Sequence, residues 1–152
     1  MEYKTISEIE TKEVAKEITA EIISKRGSGP IFVGLVGDLG AGKTAFVKGV
    51  AEFFDVGEPV LSPTFVIQKI YEISEENRQK ENHGFKRLVH MDLYRLEDEK
   101  SLEAIKWEEY KNAEDNILFV EWPNQIWENA PEGMIEIKIE HGKADERKII
   151  FN

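Results

Sequence analysis

The segment Ile31-Phe-Val-Gly-Leu-Val-Gly-Asp-Leu-Gly-Ala-Gly-Lys-Thr44 carries the strongest structural signal in this sequence of 152 residues. Its first six residues form a nearly continuous apolar run, which is typical of a strand buried on both faces of a parallel sheet. Its last eight match the pattern G-x-x-x-x-G-K-[ST] in full. Glycines at positions 37, 40 and 42 let the backbone curl round a phosphate with several N–H groups turned inward. The segment therefore predicts a strand, a phosphate-binding loop and a helix, in that order.

The loop and the start of the helix have predicted contacts with an ATP-type nucleotide. A helix beginning near Gly42 directs its positive N-terminal end at the phosphates. Lys43 is expected to reach the β- and γ-phosphates, and the Thr44 hydroxyl to ligate Mg²⁺. The helix is expected to bury one apolar face and to end by Asp55. The residues of this segment predicted to bind the nucleotide are Asp38, Leu39, Gly40, Ala41, Gly42, Lys43, Thr44 and Ala45.

Such a site also needs an acidic side chain at the end of a neighbouring buried strand, where it holds Mg²⁺ directly or through water. Glu121 follows the apolar run Ile117–Val120, and Asp92 follows the less apolar run Leu88–Met91. Either carboxylate alternatively caps a turn or lies in solvent, so the residues leave the choice between them open. Together with Lys43, these two acids are the candidate catalytic residues.

For other polar and aromatic side chains the sequence gives weaker evidence of a functional role. Thr64, within Ser62-Pro-Thr-Phe65, lies where a threonine can sense the γ-phosphate, although an ordinary turn hydroxyl is equally compatible. Trp122, beside Glu121, is expected either to pack near the nucleotide or to be a core aromatic. The histidines lack metal-ligand spacing and are interpreted as structural or surface side chains: His83, His90 and His141.

The N-terminal part of the chain predicts one strand and one helix. Tyr3–Ile6 is expected to be a short edge strand. A helix follows and runs to about Lys25, because apolar residues recur every four positions. Its N-cap is either Ser7, which has capping-box spacing with Glu10, or Thr11.

The C-terminal part predicts a mixture of strands, one helix and a polar loop. A strand is expected over Ser62–Ile73, a mobile hairpin loop over the charged stretch Ser74–Lys86, and another strand over Arg87–Leu93. A helix is predicted over Asp98–Tyr110 and a buried strand over Asn116–Val120. Alternating apolar and polar residues then predict an antiparallel hairpin formed by Met134–Glu140 and Arg147–Phe151.

This element order predicts a single α/β domain over residues 1–152. A strand, a glycine loop and a helix followed by further strands and helices form a three-layer sandwich of the P-loop nucleotide-hydrolase type. The late hairpin makes the sheet mixed, with a parallel core and a C-terminal antiparallel pair.

Composition limits the range of functions. The chain has no cysteine, so disulfides, thiolate zinc sites and cysteine nucleophiles are excluded. A formal net charge of −10 with few arginines makes it a poor nucleic-acid binder on its own, so any nucleic acid is expected to be handled by a partner. No apolar run approaches the roughly 18 residues of a membrane span, and the expected location is the cytoplasm.

Four motifs in order resemble the bacterial TsaE family, small ATPases of tRNA threonylcarbamoyladenosine biosynthesis. The resemblance spans nearly the whole chain, and four motifs are far more specific than the phosphate loop alone. They are Gly-Asp-Leu-Gly-Ala-Gly-Lys-Thr (37–44), Ser-Pro-Thr-Phe (62–65), His-Met-Asp-Leu-Tyr-Arg (90–95) and Val-Glu-Trp-Pro (120–123).

The resemblance implies a function and site roles that composition does not show. The protein would hydrolyse ATP and support the TsaD–TsaB threonylcarbamoyl transferase pair, which modifies the adenosine next to the anticodon in tRNAs that read codons beginning with A. Thr44 and Glu121 would hold Mg²⁺, Thr11 would lie near the adenine, and Asp92 would be the functional acid of its motif. Ala45 stands where family members often have a second threonine, a mild departure that leaves the metal-binding hydroxyl in place.

Two rival enzyme classes lack their signatures. A regulatory GTPase needs Asn-Lys-x-Asp to read guanine, and the sequence has none. A small-molecule kinase closes an Arg-bearing lid over the phosphates, whereas the charged stretch Ser74–Lys86 has only Arg78. A non-enzymatic alternative is a nucleotide-dependent binding module that hydrolyses little until it docks on its partner.

Overall fold

One mixed sheet organises the part of the chain that the computed structural model describes, residues 1–61 and 67–152. The strands are β1 (Glu2–Thr5), β2 (Ile31–Val36), β3 (Gln68–Glu72), β4 (Arg87–Asp92), β5 (Asn116–Glu121), β6 (Met134–His141) and β7 (Arg147–Phe151). In these residues the strand order is β1-β7-β6-β2-β5-β4-β3. The strands β6, β2, β5 and β4 are parallel, whereas the pairs β3–β4, β6–β7 and β7–β1 are antiparallel. The predicted parallel core, C-terminal hairpin and edge strand β1 are confirmed.

Helices cover both faces of the sheet. Their bounds are α1 (Glu8–Lys25), α2 (Lys43–Phe53), α3 (Glu75–Lys80), α4 (Ser101–Ala104) and α5 (Trp107–Asn112), with a 3-10 turn at Pro123–Gln125. Alternation along β2 fills two cores, because Val33 and Leu35 pack with α1 and α2 while Phe32 packs with α4 and α5. The predicted three-layer sandwich is confirmed. No helix in the described ranges has both the length and the apolar character of a membrane span.

The first helix is capped by Ser7. The Ser7 hydroxyl accepts a hydrogen bond from the Glu10 amide at 3.1 Å, and the Glu10 carboxylate accepts one from the Ile6 amide at 2.8 Å. Thr11 as the N-cap is therefore wrong, since it lies buried in the first turns of α1. The helices α1 and α2 pack closely where Gly49 meets Lys12, because a Cβ at Gly49 would lie 2.5 Å from the Lys12 carbonyl oxygen.

Two predictions about the polar segments are wrong. The stretch Ser74–Lys86 joins the antiparallel strands β3 and β4 as a hairpin connection, but it contains α3, with Ser74 as the N-cap and Asn77 as the buried residue of that helix, rather than a loop throughout. The predicted helix Asp98–Tyr110 is divided into α4 and α5 at Lys106, whose φ of 55° is incompatible with a continuous α-helix. Of the strand predicted over Ser62–Ile73, residues 67–73 are described and contain β3, and the first five positions lie outside the described residues.

Candidate functional site

The phosphate loop and both candidate carboxylates lie at the same edge of the sheet. The strand β2 leads into the loop at Val36, and its parallel neighbour β5 ends at Glu121. The next strand, β4, ends at Asp92, which pairs in register with Glu121. Ligands of open α/β sheets bind at this carboxyl edge. Adjacent parallel strands thus bring residues 29 positions apart in the sequence to neighbouring positions at the loop.

A pocket of about 290 Å³ joins most of the predicted site residues. It is lined by Leu39, Gly40, Ala41, Gly42, Lys43, Thr44, Ala45, Asp92, Glu121 and Trp122. Asp38 is exposed beside the pocket, and its carbonyl oxygen accepts a hydrogen bond from Lys43. Thr11 is not among the lining residues, because its hydroxyl is buried against Ser7 and Thr5. Thr64 falls outside the described residues, so its predicted sensing role stays a prediction.

The loop backbone has the conformation that its glycines permit. Gly42 has a φ of 106°, which a residue with a side chain rarely adopts. The helix α2 begins at the next residue, so its first amides lie at the mouth of the pocket without partners within the helix. Together with the helix dipole, these amides favour an anion at this position.

Lys43 places a buried ammonium group on the loop. Its Nζ donates to the carbonyl oxygens of Gly37 at 2.5 Å and Asp38 at 2.8 Å, and it lies 4.1 Å from the centroid of the Trp122 ring. Burial lowers the pKa of Lys43, while the charges of Glu121, Asp92 and Asp38 act in the opposite direction. The charge is held within the protein rather than in bulk solvent, which strengthens its interaction with an anion.

Glu121 connects the loop to the sheet. The Thr44 hydroxyl donates to Glu121 Oε1 at 3.2 Å, and this carboxylate is almost fully buried. Hydroxyl and carboxylate oxygens are hard ligands suited to Mg²⁺, which takes its remaining ligands from water and substrate phosphates. One ion is able to contact both groups because the oxygens are so close. The donor set therefore fits the predicted magnesium site.

His90 is the functional-site residue that sequence reasoning missed. Its ring is fully buried, and Nε2 lies 3.1 Å from Glu121 Oε2. The Nδ1 atom is buried without a hydrogen-bond partner among the described residues, whereas Nε2 faces a carboxylate, which can only accept a hydrogen bond. His90 thereby donates to the oxygen that Thr44 does not use. The available signal was its position two residues before Asp92, which places both side chains on the same face of β4.

The second carboxylate and the tryptophan complete the lining of the pocket. Asp92 Oδ1 accepts a hydrogen bond from the Tyr94 amide at 3.0 Å, which orients the carboxylate at the end of β4. The Tyr94 ring lies 4.8 Å from that of Trp122. Trp122 has a φ of 60°, and this left-handed backbone brings its ring over Lys43. Trp122 therefore lies beside the loop, and its packing near the nucleotide stays a prediction.

Comparisons with known proteins match one family over nearly the whole chain. The family model described as "Threonylcarbamoyl adenosine biosynthesis protein TsaE" matches residues 5–149. A Bacillus subtilis protein named tRNA threonylcarbamoyladenosine biosynthesis protein TsaE is 38% identical over 151 residues, covering 99% of this chain and 84% of the relative. A protein of the same name from Aquifex aeolicus is 36% identical over 124 residues, covering 76% of this chain and 82% of the relative.

A solved structure extends the similarity to three dimensions. The crystal structure of YdiB from Bacillus subtilis matches with a TM-score of 0.70 and 30% sequence identity. The match covers 99% of this chain and 83% of that chain.

Proposed function

We propose, given that this chain belongs to the TsaE family of threonylcarbamoyl adenosine biosynthesis proteins, that it is a Mg²⁺-dependent ATPase acting in that tRNA modification. The observation that carries the proposal is the hydrogen bond between Thr44 and Glu121 at the phosphate loop. It joins the hydroxyl of the loop motif to a buried carboxylate on the neighbouring strand, which are the two protein groups that a nucleotide-bound magnesium ion requires.

The loop and Lys43 are proposed to hold the nucleotide phosphates. The amides of residues 38–45 would hold the phosphate chain, and Lys43, which contacts the Gly37 and Asp38 carbonyls, would contact phosphate oxygens instead. These contacts are equally available to ATP and ADP, so they contribute mainly to binding. Thr11 is proposed to lie near the adenine through the family resemblance alone, since no contact of its side chain reaches the pocket.

The two carboxylates are proposed to act in the hydrolytic step. Thr44 and Glu121 would hold Mg²⁺, which supplies charge neutralisation on the phosphates when bound. Asp92 would orient a water molecule beside Glu121, either a free one or one bound to the ion. His90 would fix the rotamer of Glu121 through its Nε2 proton. In the reaction water adds to the γ-phosphorus, the bond to the ADP oxygen breaks, and ADP and phosphate leave. Positioning and electrostatics supply most of the catalysis of phosphoryl transfer.

The proposed partners are the transferase pair TsaD and TsaB, with tRNA reached only through them. The acidity of the chain, with a net charge of −10, supports indirect rather than direct contact with tRNA. The proposed location is the cytoplasm, where tRNA is modified. We further propose that hydrolysis is weak in the isolated protein and is stimulated when it docks on the pair.

Nucleotide titration calorimetry with Mg²⁺ tests the binding part of the proposal. ATP is expected to bind more tightly than GTP, because the sequence lacks the guanine-reading motif. Lys43→Ala is expected to weaken ATP binding by tenfold or more, while Lys48→Ala, on the exposed side of the same helix, leaves it unchanged. GTP binding as tight as ATP binding would contradict the choice of nucleotide. Phosphate release measured with and without TsaD and TsaB tests the enzymatic part.

A further inference from the structure

A second and larger cleft lies beside α4 and α5, where it shares no lining residue with the nucleotide pocket. Its volume is about 650 Å³. Trp107 and Trp127 form the aromatic part of its wall, with ring centroids 5.0 Å apart. Trp107 and Leu102 are almost fully buried and form the floor of the cleft, so Trp127 and Pro131 provide its accessible apolar surface. The cleft therefore offers a binding surface of the aromatic kind that anchors protein side chains.

The rim of the cleft is mainly acidic. Four exposed glutamates line it: Glu99, Glu103, Glu108 and Glu109. Among the described residues, none of the four forms an ion pair with a lysine or arginine. Lys106 and Lys111 also line the cleft, so the balance of its charged side chains is negative by two. An apolar floor with an acidic rim attracts cations and repels phosphate-bearing polymers.

The chain segments that form the walls of the cleft follow the two site carboxylates in the sequence. From Asp92 the chain runs through Leu96 to Glu99 and α4, and from Glu121 it runs through the 3-10 turn to Trp127. The Gln125 side-chain amide donates to the Leu96 carbonyl at 3.5 Å, which links the two segments. A ligand in the cleft therefore contacts the two chain segments that follow the site carboxylates.

We propose that this cleft binds a basic segment of a partner protein, with an apolar side chain against Trp107 and Trp127 and Lys or Arg side chains against the glutamates. Arginine is favoured because its planar cation stacks on indole and pairs with carboxylates. The partner is a polypeptide rather than a nucleic acid, because the rim repels phosphates. This surface goes beyond the proposed ATPase, and it would remain if the protein hydrolysed no nucleotide.

The three tryptophans make the proposal directly measurable. Trp107 and Trp127 line the cleft, while Trp122 lines the nucleotide pocket. Their indole N–H signals in ¹⁵N-resolved NMR spectra therefore report the two sites separately. The probe is the peptide Ac-Ala-Arg-Leu-Leu-Arg-Ala-amide, titrated into the full chain. One control peptide has glutamate in place of both arginines, and a second has serine in place of both leucines.

The expected result is a saturable shift of the Trp107 and Trp127 signals with a Kd below about 1 mM. Both control peptides are expected to bind at least tenfold more weakly. The double variant Glu103→Lys/Glu108→Lys is expected to weaken binding of the arginine peptide by about tenfold, because two attractions become repulsions. The matched double variant Glu17→Lys/Glu76→Lys makes the same charge change at exposed positions on other helices and is expected to bind normally.

Four results would overturn the proposal. The first is no shift of either cleft tryptophan up to several millimolar peptide. The second is equal binding of the acidic peptide, and the third is unchanged binding by Glu103→Lys/Glu108→Lys. A shift confined to Trp122 would place the peptide at the nucleotide pocket and also overturn it. None of these outcomes depends on ATP binding or hydrolysis, so they are distinguishable from a failure of the proposed function.

Discussion

Two histidine-centred clusters in this protein have opposite hydrogen-bonding character. The His83 ring has a partner at each nitrogen, since Nε2 lies 2.9 Å from Asn77 Oδ1 and Nδ1 accepts from the Phe85 amide at 3.1 Å. The His90 ring is more deeply buried, yet only its Nε2 is paired, with the Glu121 carboxylate.

The surroundings of the two rings differ in the same way. Around His83, the buried Asn77 amide also donates to the Phe53 carbonyl and the Asp55 carboxylate, both at 2.9 Å. This cluster ties α3 to the end of α2 through mostly neutral, satisfied groups. Around His90, buried charges of both signs gather at the phosphate loop. Satisfied polar groups stabilise a fold, whereas concentrated and incompletely paired ones indicate a site that acts on a ligand.

The largest predicted effect belongs to the His90 cluster. Glu121→Gln and Asp92→Asn are each expected to reduce partner-stimulated ATP hydrolysis about a hundredfold, equivalent to ~3 kcal/mol of transition-state stabilisation. Binding of ATP is expected to stay within about tenfold, because Lys43 and the loop amides remain. Phosphate release in the presence of TsaD and TsaB measures the rate. Glu136→Gln, at an exposed position on β6, is the control. Unchanged hydrolysis by both variants would mean that neither carboxylate is catalytic.

A smaller effect is expected at His90 itself. His90→Ala removes the donor to Glu121 Oε2 and is expected to weaken Mn²⁺ binding in the presence of ATP by 10- to 100-fold, the usual range for a residue that orients a metal ligand. His90→Gln keeps a donor on the side chain and is expected to recover part of that loss. Electron paramagnetic resonance of free Mn²⁺ gives the affinities. Equal affinities for the alanine variant and the unmodified protein would remove His90 from the site.

The His83 cluster is expected to affect stability instead. Asn77→Ala deletes buried hydrogen bonds to Phe53, Asp55 and His83, each of which contributes about 1 kcal/mol, so the free energy of unfolding should fall by about 2–3 kcal/mol. Hydrolysis per folded molecule should not change. Urea denaturation measures the loss, and Gln79→Ala, at an exposed position on the same helix, is the control. A loss of hydrolysis without a loss of stability would reverse the roles of the two clusters.

The smallest effect concerns pH. Burial lowers the pKa of His83, with Arg78 and Arg26 adding to the decrease and Glu81 opposing it. The unfolded chain therefore binds the proton more readily, so this contribution to stability is present above the ordinary pKa of 6.5 and is lost as pH falls through the lowered value. Because the ring is partly exposed, the slope should be a fraction of the ~1.4 kcal/mol per pH unit that one proton can contribute.

Comparing variants isolates this slope from other titrations. His83→Gln should show a shallower decline in the free energy of unfolding between pH 7 and 5 than the unmodified protein, measured by urea denaturation at each pH. His141→Gln, at an exposed position, should keep the original slope. Identical slopes for all three proteins would show that His83 does not titrate differently in the folded state.

Local patterns were sufficient to predict most of the sheet. The apolar runs Ile31–Val36 and Asn116–Val120 became adjacent parallel strands because strands buried on both faces need continuous apolar sequence. The alternation at Met134–Glu140 and Arg147–Phe151 likewise gave the hairpin. These features depend on the residues of one segment, so the sequence was enough to find them.

Features that depend on distant contacts were missed. The helix α3 is anchored by one buried amide, Asn77, whose partners lie on α2 and beyond, and nothing in a polar segment shows that contact. The left-handed Lys106 interrupts an otherwise acceptable helical pattern. His90 became recognisable only when β4 and β5 paired and brought it to Glu121. The choice between Ser7 and Thr11 also depended on side-chain geometry rather than on residue type.

The most direct test of the proposed site is a crystal structure with Mg²⁺ and a non-hydrolysable ATP analogue. The Thr44 hydroxyl is expected to bind the ion directly, and the Glu121 carboxylate is expected to bind it directly or through one water. Lys43 should have left the Gly37 and Asp38 carbonyls for the phosphates. A Glu121 carboxylate more than about 6 Å from the ion would exclude even a water-bridged contact and contradict the proposed magnesium site.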